Sequence, residues 1–172
     1  MASEGNVYTG FLYAGLMIDK AGKPKVIEFN CRFGDPETQP IMCRLESSLV
    51  LLVEAALAKA LDKVEATWDP RPTVGVVIAA GGYPADYAKG DVIEGLDAAA
   101  QLEGKVFHAG TALKDGQIVT AGGRVLCATA IGRTVEEAQQ QAYRLAEKIR
   151  WNGSFYRNDI GYRAIARERG EK

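Results

Sequence analysis

The sequence has no excess of charge of either sign. Its 172 residues carry 21 lysines and arginines against 22 aspartates and glutamates, a formal net charge of -1. A balanced chain has no long-range cationic field with which to hold a nucleic-acid backbone or an anionic membrane surface. We therefore expect neither nucleic acid nor membrane among its partners.

A long uninterrupted apolar run is also missing. The most apolar stretch, residues 49–61, is broken by Glu54 and Lys59 and is shorter than the roughly 20 apolar residues of a bilayer-spanning helix. The first six residues show neither the basic nor the apolar part of a secretory signal. We expect a cytoplasmic location.

Cysteine and histidine are scarce. The three cysteines at 31, 43 and 127 include no Cys-x-x-Cys pair, which favours separate reduced thiols over a disulfide framework or a zinc knuckle. The single histidine, His108, cannot form a two-histidine zinc site within this chain. Because no nucleophile or carboxylate stands near it in the sequence, we interpret His108 as a structural residue.

The patterns that are present predict an α/β fold. Residues 8–18 and 25–30 alternate on either side of the turn formers at 19–24, which predicts a β-hairpin. Further strands are predicted over 73–80, covered on both faces, and over 105–111, 117–121 and 124–131, with a turn at 114–116. The Gly81-Gly82-Tyr83-Pro84 segment predicts a tight turn, since it matches no phosphate-binding glycine pattern.

Four helical segments complete the pattern. They are expected from Pro40, from Ser47 or Ser48 to Leu61, from the capping box at 134–137 to residue 149, and within 158–168. The second is apolar nearly all round and is therefore predicted to be buried on most sides. Prolines 70 and 72 predict a boundary between domains at 1–67 and 73–172. Trp68 and Trp151, beside predicted junctions, are interpreted as packing anchors.

Glu28 and Asn30 are the most informative pair. At positions i and i+2 of a predicted strand, their side chains project to the same face and place a carboxylate beside an amide oxygen. Mg²⁺ accepts such donors when phosphates and water complete its coordination, and Arg32 could offer a planar fork to a carboxylate or phosphate. Spacing alone favours a simpler interpretation, because Glu and Asn are common on solvent-exposed strand faces.

Longer segments resemble the phosphoribosylamine–glycine ligase family of ATP-grasp enzymes. The resemblance is carried by Tyr8 to Leu16, Ile27 to Gln39 with its Phe-Gly-Asp-Pro-Glu-Thr-Gln string, Ala80 to Pro84, Gly122 to Leu126 and Asn158 to Ile165. It implies that residues 1–67 are the rear part of an ATP-grasp domain and residues 73–172 are the small β-rich carboxy-terminal domain of the family.

The resemblance also implies a reaction and roles for five residues. The family joins glycine to 5-phosphoribosylamine with ATP, giving glycinamide ribonucleotide, ADP and phosphate in purine biosynthesis. Glu28 and Asn30 are then expected to hold the Mg²⁺ or Mn²⁺ that bridges the ATP phosphates. Arg32 is expected to be catalytic and to bind the substrate carboxylate or its acyl phosphate. Asp35 and Glu37 would contact the amine or the ribose, or else cap the helix near Pro40.

Two departures from the family pattern affect what this chain is expected to do. No Asp or Glu occurs from Tyr8 to Ile18, where many ATP-grasp enzymes place a further metal ligand. The amino-terminal domain and the strands that grip ATP have no counterpart here. We therefore expect the isolated chain to be inactive. It would assemble with the missing amino-terminal region or with itself, or would act as a stand-alone binding module; a different ATP-grasp ligase fits the motifs less well.

Overall fold

A computed structural model describes residues 2–171 of the chain. Its helices and strands confirm the α/β class, and they divide into two compact units. The first unit comprises the described residues up to Thr38 together with Leu45–Asp69, and the second comprises Gln39–Arg44 and the described residues from Pro70 onward. Residues 1 and 172, where the predicted domains begin and end, lie outside the described range. No helix within residues 2–171 is long and apolar enough to cross a membrane.

The first unit is built on the predicted hairpin. Strand β1, Tyr13–Ile18, pairs antiparallel with strand β2, Pro24–Asn30. Asp19 organises the turn, because its Oδ1 accepts hydrogen bonds from the backbone N–H groups of Ala21 and Lys23, both at 2.9 Å. The first strand begins five residues later than predicted, since the chain before it folds on itself with the Tyr8 hydroxyl donating to the Phe11 carbonyl at 2.8 Å.

The strand register has one irregularity that matters for the site. Glu28 pairs with Gly15, but the next residue of β1, Leu16, pairs with Val26, so Ile27 is the extra residue of a β-bulge. The bulge lies before Glu28. Glu28 and Asn30 therefore keep the two-residue alternation that the sequence predicts.

Helix α2, Leu49–Leu57, is shorter and far more exposed than predicted. Ser48 caps its first turn by accepting from the Leu51 N–H at 3.4 Å, and Lys59, with a φ of 55°, breaks it before the 3₁₀ turn Leu61–Lys63. The prediction that this helix is buried on most sides is wrong, because none of its residues is buried and Leu57 is 71% exposed. Apolar residues all round a helix show that it would gain from burial; they do not supply the covering surface. Trp68 is likewise 45% exposed, so the prediction of a packing anchor is wrong there.

The second unit contains a three-stranded antiparallel sheet and a hairpin. The sheet has the order β3, Thr73–Ala79; β7, Arg124–Ile131; and β4, Lys105–His108. The hairpin joins β5, Thr111–Lys114, to β6, Gln117–Thr120, through Asp115 and Gly116, which both have positive φ as a tight hairpin turn requires. The single strand predicted over 105–111 is wrong: the backbones of Gly110 and Gly122 approach each other there, and the chain leaves one sheet for the other.

The buried core lies between one face of this sheet and helix α4, Val135–Lys148. Alternate residues of β3 and β7 point to this face: Val74, Val76, Ile78, Leu126, Ala128 and Ala130. They pack against the small side chains of Ala138, Ala142 and Ala146 on α4. Trp151 is 8% exposed and belongs to this core, which confirms it as a packing anchor. The other face of β3 is only half-buried; there Pro40, in helix α1, Thr38–Arg44, approaches Gly75. Helix α1 begins two residues before the predicted start.

Helix α4 begins at the predicted cap. The Thr134 hydroxyl accepts from the Glu137 N–H at 3.1 Å, while the Glu137 carboxylate accepts from the Arg133 N–H at 2.8 Å, one residue before the position that a capping box would use. The Arg133 guanidinium also bonds this carboxylate and holds the pKa of Glu137 below its ordinary value.

The last helix, α5, runs over Tyr162–Glu168, four residues shorter at its start than the predicted segment. Its Glu168 carboxylate accepts from the Val135 N–H at 2.9 Å and so satisfies a donor at the start of α4. Helix α3, Leu96–Ala99, is a single turn. All three cysteines are free thiols, as expected, and burial raises the pKa of Cys43.

Candidate functional site

Glu28 and Asn30 lie at the end of β2 opposite two very different residues of β1. Asn30 pairs with Tyr13, and Glu28 pairs with Gly15. Directly paired residues of antiparallel strands project to the same face. The tyrosine side chain therefore lies beside the amide, while Gly15 presents no side chain beside the carboxylate; a Cβ at position 15 would come within 3.1 Å of the Glu28 Cγ, so the Glu28 side chain itself occupies part of that space.

The structure brings Arg32 next to this pair. The Arg32 Nη2 donates to the Asn30 Oδ1 at 3.4 Å, and its Nη1 donates to the Phe33 carbonyl at 2.8 Å. The guanidinium is exposed and folds back toward the strand end. An amide oxygen has two lone pairs, so Asn30 can accept this bond and still offer a second direction to a cation.

The loop after β2 is fastened to β1 through Glu37. The Tyr13 hydroxyl donates to the Glu37 Oε1 at 3.2 Å. Gly34, which is buried, lies between the two side chains: a Cβ there would come within 2.2 Å of the Glu37 Oε2 and 2.9 Å of the Tyr13 Cε2. A side chain at position 34 would push the carboxylate and the ring apart.

The electrostatics of Tyr13 show which charges surround it. The Glu37 carboxylate raises the pKa of the Tyr13 phenol above its usual 10, Glu28 adds to this effect in a small way, and Arg32 opposes it. The phenol is therefore a protonated donor at neutral pH. Of the five predicted site residues, Glu28, Arg32 and Glu37 thus share one electrostatic neighbourhood with Tyr13, and Asn30 joins it through Arg32.

Asp35 lies in the loop between Arg32 and Glu37. It is exposed, and it precedes the cis peptide bond to Pro36. The alternative prediction for Glu37 is a helix cap. Its carboxylate accepts a hydrogen bond from the Tyr13 hydroxyl immediately before α1 begins, and this bond competes with capping.

Sequence reasoning missed Tyr13. The signal was present in the hairpin, because once the turn at 19–24 is recognised, counting back along β1 places an aromatic residue opposite the end of β2. The bulge at Ile27 shifts that count by one residue, and alternation alone does not reveal a bulge.

The donors present suit a cation that is shared with bound phosphate groups better than a cation that the protein holds alone. Within residues 2–171, no group of three or more His, Cys, Asp or Glu side chains is arranged to hold a metal ion. Glu28 and Asn30 supply two hard oxygen donors at one strand end, and Glu28 is exposed. Such a pair fits Mg²⁺ or Mn²⁺ when phosphate oxygens and water provide the remaining ligands.

Two other sequence interpretations can be placed in the second unit. The Gly81-Gly82-Tyr83-Pro84 segment is a turn, as predicted, with the Tyr83 N–H donating to the Ala80 carbonyl at 3.1 Å. The His108 Nδ1 lies 3.1 Å from the Thr111 hydroxyl and links the end of β4 to the start of β5, which agrees with a structural role.

Comparison with known proteins defines the class. The model of the phosphoribosylglycinamide synthetase C domain matches residues 73–163, more than half of the chain, and the model of the phosphoribosylglycinamide synthetase ATP-grasp (A) domain matches residues 1–38. The chain belongs to the phosphoribosylglycinamide synthetase family, as its motifs predict.

Individual relatives agree with this assignment. The chain is 89% identical over 171 residues to a phosphoribosylamine–glycine ligase of Pseudomonas aeruginosa, covering 99% of this chain and 40% of the relative. A crystal structure of phosphoribosylamine–glycine ligase from Thermotoga maritima superposes with a TM-score of 0.77 at 42% identity, over 92% of this chain and 38% of that one. The N5-carboxyaminoimidazole ribonucleotide synthetase of the same organism shares the fold, with a TM-score of 0.53 at 17% identity over 83% of this chain and 37% of that one.

These matches also fix how much of the relatives this chain represents. It spans about 40% of the length of the curated relatives it matches.

Proposed function

We propose that the chain supplies the carboxy-terminal portion of an ATP-dependent carbon–nitrogen ligase that joins glycine to 5-phosphoribosylamine. The observation that supports this most directly is the grouping of Glu28, Asn30 and Arg32 at one strand end, where Glu28 and Arg32 are exposed. We assign residues 1–67 to the rear of an ATP-grasp domain and residues 73–172 to the carboxy-terminal domain. We take the two substrates from the name of the relatives. We assign the reaction to purine biosynthesis in the cytoplasm.

Glu28 and Asn30 are the residues that would hold the divalent cation shared with ATP. When bound, Mg²⁺ or Mn²⁺ neutralises charge on the phosphates, which is where phosphoryl transfer needs most help. The carboxylate of Glu28 contributes the charge, and the Asn30 amide, oriented by Arg32, contributes a neutral oxygen. With only two protein ligands, the cation is expected to bind weakly unless ATP is present.

Arg32 is the proposed catalytic residue. In the reaction, a glycine carboxylate oxygen attacks the terminal phosphorus of ATP and ADP leaves. The amine nitrogen then attacks the carboxyl carbon, phosphate departs and the nitrogen loses a proton. The exposed guanidinium of Arg32 suits the binding of the glycine carboxylate and of the negative charge that builds on the acyl phosphate.

Glu37 and Asp35 are proposed to contact the amine or the ribose of the second substrate. Glu37 is the better defined of the two, because Tyr13 fixes one of its oxygens and Gly34 leaves room for the other. A carboxylate held in this way can accept a hydrogen bond or a proton from an amine without first being ordered.

The partner we propose is the amino-terminal region that the relatives possess beyond the 40% matched here. Large apolar side chains are exposed on both β1 and β2, including Leu16, Met17, Ile27 and Phe29. Such a surface is costly in water and is typical of a contact face. The chain without this region is expected not to turn over, and self-association through the same face is the alternative that sedimentation would reveal.

Binding of Mn²⁺·ATP tests the cation site on this chain itself. In an NMR titration, Mn²⁺ with ATP should broaden the amide signals of residues 28–32, and the Glu28→Gln variant should remove most of that effect. The matched control is Glu54→Gln on α2, which removes the same charge from an exposed helix. Equal broadening in wild type and Glu28→Gln would contradict the assignment, and repeating the titration with Mg²⁺ as competitor would rank the two ions.

Turnover provides the second test. The chain alone should give no ADP with glycine, phosphoribosylamine and ATP, whereas mixing it with the complementary portion of the Pseudomonas aeruginosa relative should restore turnover. In that mixture Arg32→Gln is expected to lower kcat by about a hundredfold, as removal of a single oxyanion-binding donor does in other enzymes. Full activity from the chain alone would refute the proposal.

A further inference from the structure

The loop after β2 carries two opposite charges that do not pair with each other. Within the described residues, Arg32 and Glu37 are each hydrogen-bonded to neutral groups instead. We propose that Tyr13 is a positioning residue that keeps Glu37 away from Arg32, so that both charges stay available to a bound ligand. The separation is argued from contacts alone, and its use in catalysis rests on the proposed function.

The partners of both charges are neutral. The Glu37 Oε1 accepts a hydrogen bond from the Tyr13 hydroxyl at 3.2 Å. The Arg32 Nη1 donates to the Phe33 carbonyl at 2.8 Å, and its Nη2 donates to the Asn30 Oδ1 at 3.4 Å. A neutral partner orders a charged side chain without cancelling its charge, whereas an ion pair between Arg32 and Glu37 would cancel both charges.

The two charged side chains are close enough to meet. Arg32 bonds the carbonyl of the peptide unit that joins Phe33 to Gly34. Glu37 lies against the other end of the same unit, since a Cβ on Gly34 would collide with the Glu37 Oε2. Two long side chains that contact one peptide unit can reach each other by changing rotamers. An ion pair between Arg32 and Glu37 is therefore an accessible alternative to the observed arrangement.

Tyr13 lies between the strand end and the Glu37 carboxylate. It is directly opposite Asn30 in the hairpin, and its ring passes Gly34, where a Cβ would come within 2.9 Å of the Tyr13 Cε2. Charges on both sides affect the pKa of its phenol: the Glu37 carboxylate raises it most, and the Arg32 guanidinium lowers it. The hydroxyl thus holds Glu37 while it remains within the electrostatic field of Arg32.

Packing explains the ring of Tyr13 but not its hydroxyl. A phenylalanine ring would fill the same half-buried space. The loop also has an attachment of its own to the preceding segment, because Phe11 stacks on Phe33 with ring centres 4.1 Å apart. The Tyr13 hydroxyl donates its hydrogen bond to the Glu37 Oε1, so its specific contribution is to orient that carboxylate.

The test is NMR spectroscopy of the full chain, which observes the Nε–H signal of the Arg32 guanidinium. In Tyr13→Phe the freed Glu37 carboxylate should pair with Arg32. This pairing should shift the signal and slow its exchange with water by up to about fivefold, the effect of one exposed ion pair. In the double variant Tyr13→Phe with Glu37→Gln, the signal should return to its wild-type position and exchange rate.

The matched control is Tyr162→Phe. It removes the hydroxyl of an exposed tyrosine that accepts a hydrogen bond from the Arg163 Nε at 2.9 Å, and it should leave the Arg32 signal unchanged. Tyr13→Phe keeps the aromatic ring and is expected to fold, which the amide signals of β1 and β2 check. An unchanged Arg32 signal in Tyr13→Phe would overturn the inference. A change that persists in the double variant would also overturn it, because Glu37 would then not be its cause.

Turnover tests the catalytic part of the inference separately. The NMR measurements use neither ATP nor the other substrates, so they decide the role of Tyr13 even if the ligase assignment fails. In the mixture with the complementary portion of the Pseudomonas aeruginosa relative, Tyr13→Phe should lower kcat/KM for glycine by about tenfold, as loss of one hydrogen bond to a charged group does. Tyr162→Phe should leave it unchanged. Full turnover by Tyr13→Phe in an active mixture would overturn the catalytic part.

Discussion

The two units of this chain use apolar residues in opposite ways. All the buried apolar residues of the described core belong to the second unit, between Val74 and Ile165. In the described part of the first unit only Gly34 and Asp69 are buried. The first unit nevertheless carries most of the large apolar side chains that are exposed: Val7, Tyr8, Phe11, Leu12, Leu16, Met17, Ile18, Val26, Ile27, Phe29, Val50, Leu51, Leu57, Leu61, Val64 and Trp68.

The difference separates hydrophobicity from burial. The first unit depends on hairpin hydrogen bonds, a local turn and a helix cap, and a two-stranded hairpin is marginally stable without a covering layer. The second unit covers its sheet with α4 and has a continuous core. Four predictions use matched changes in the two units to break or sharpen this contrast.

The largest expected effect is from truncating a leucine. Leu145 in α4 is 1% exposed, and replacing it with alanine should lower the free energy of unfolding by about 2–5 kcal/mol through lost burial and a cavity. Leu51 in α2 is 60% exposed, and Leu51→Ala should change stability by about 0.5 kcal/mol or less. Urea unfolding measures both when it is followed by Trp151 fluorescence for Leu145→Ala and by Trp68 fluorescence for Leu51→Ala, each with the other tryptophan replaced by phenylalanine; equal losses would show that the first unit has a core of its own.

A smaller effect is expected from adding a methyl group at a glycine. At Gly132 a Cβ would come within 2.3 Å of the Ala138 backbone nitrogen, so Gly132→Ala should cost about 1–3 kcal/mol in overpacking. At Gly15 the nearest atom is the Glu28 Cγ at 3.1 Å, in a side chain that can move. Gly15→Ala should therefore leave the urea midpoint nearly unchanged while altering the response of residues 28–32 to Mn²⁺·ATP. A large stability loss at Gly15 would contradict this.

The helix caps offer a closer comparison. Thr134 caps α4 by accepting from Glu137 N–H at 3.1 Å, and Ser48 caps α2 by accepting from Leu51 N–H at 3.4 Å. Thr134→Ala should lower the free energy of unfolding of the second unit by about 1 kcal/mol. Ser48→Ala should instead lower helix content, seen by circular dichroism, with little change in the urea midpoint. A shift of the urea midpoint of the same size in both variants would contradict this and would show that the two units unfold together.

The smallest effect is a dependence on pH. Arg133 holds the pKa of Glu137 below its ordinary value, so the folded state favours the carboxylate. The stability that results is present above the ordinary pKa of an unfolded glutamate and is lost as the pH falls through the lowered folded pKa. The difference in urea midpoint between wild type and Glu137→Gln should therefore shrink between about pH 6 and about pH 3. A difference that grows on acidification would show the opposite sign of coupling.

Local signals predicted much of the fold. The turn formers at 19–24 predicted the hairpin, Thr134 and Glu137 predicted the start of α4, a continuous apolar run predicted β3 within one residue, and β7 has the predicted bounds. Each of these depends on neighbours in the sequence, whose geometry the chain itself determines. The grouping of Arg32 with Asn30 followed in the same way, because the two residues are adjacent around one strand end.

Features that depend on a distant surface were not predicted. The apolar residues of α2 indicated burial, but whether a helix is covered depends on what packs against it. The split of the predicted strand at Gly110 depends on the approach of Gly122, twelve residues later in the chain. Tyr13 was missed because a single bulge changes which residues face each other.

The hydrogen bond from Val135 N–H to Glu168 ties the last helix to the start of α4. The carboxylate reaches a backbone donor 33 residues earlier in the chain and competes there with water for the first turn of α4. Shortening the chain before Glu168 would therefore remove a hydrogen bond at the start of α4, the helix that covers the core sheet. A bulky tag fused against α5 would disturb the same bond. A fusion partner attached through a flexible spacer beyond residue 171 would leave the hydrogen bond between Val135 and Glu168 in place.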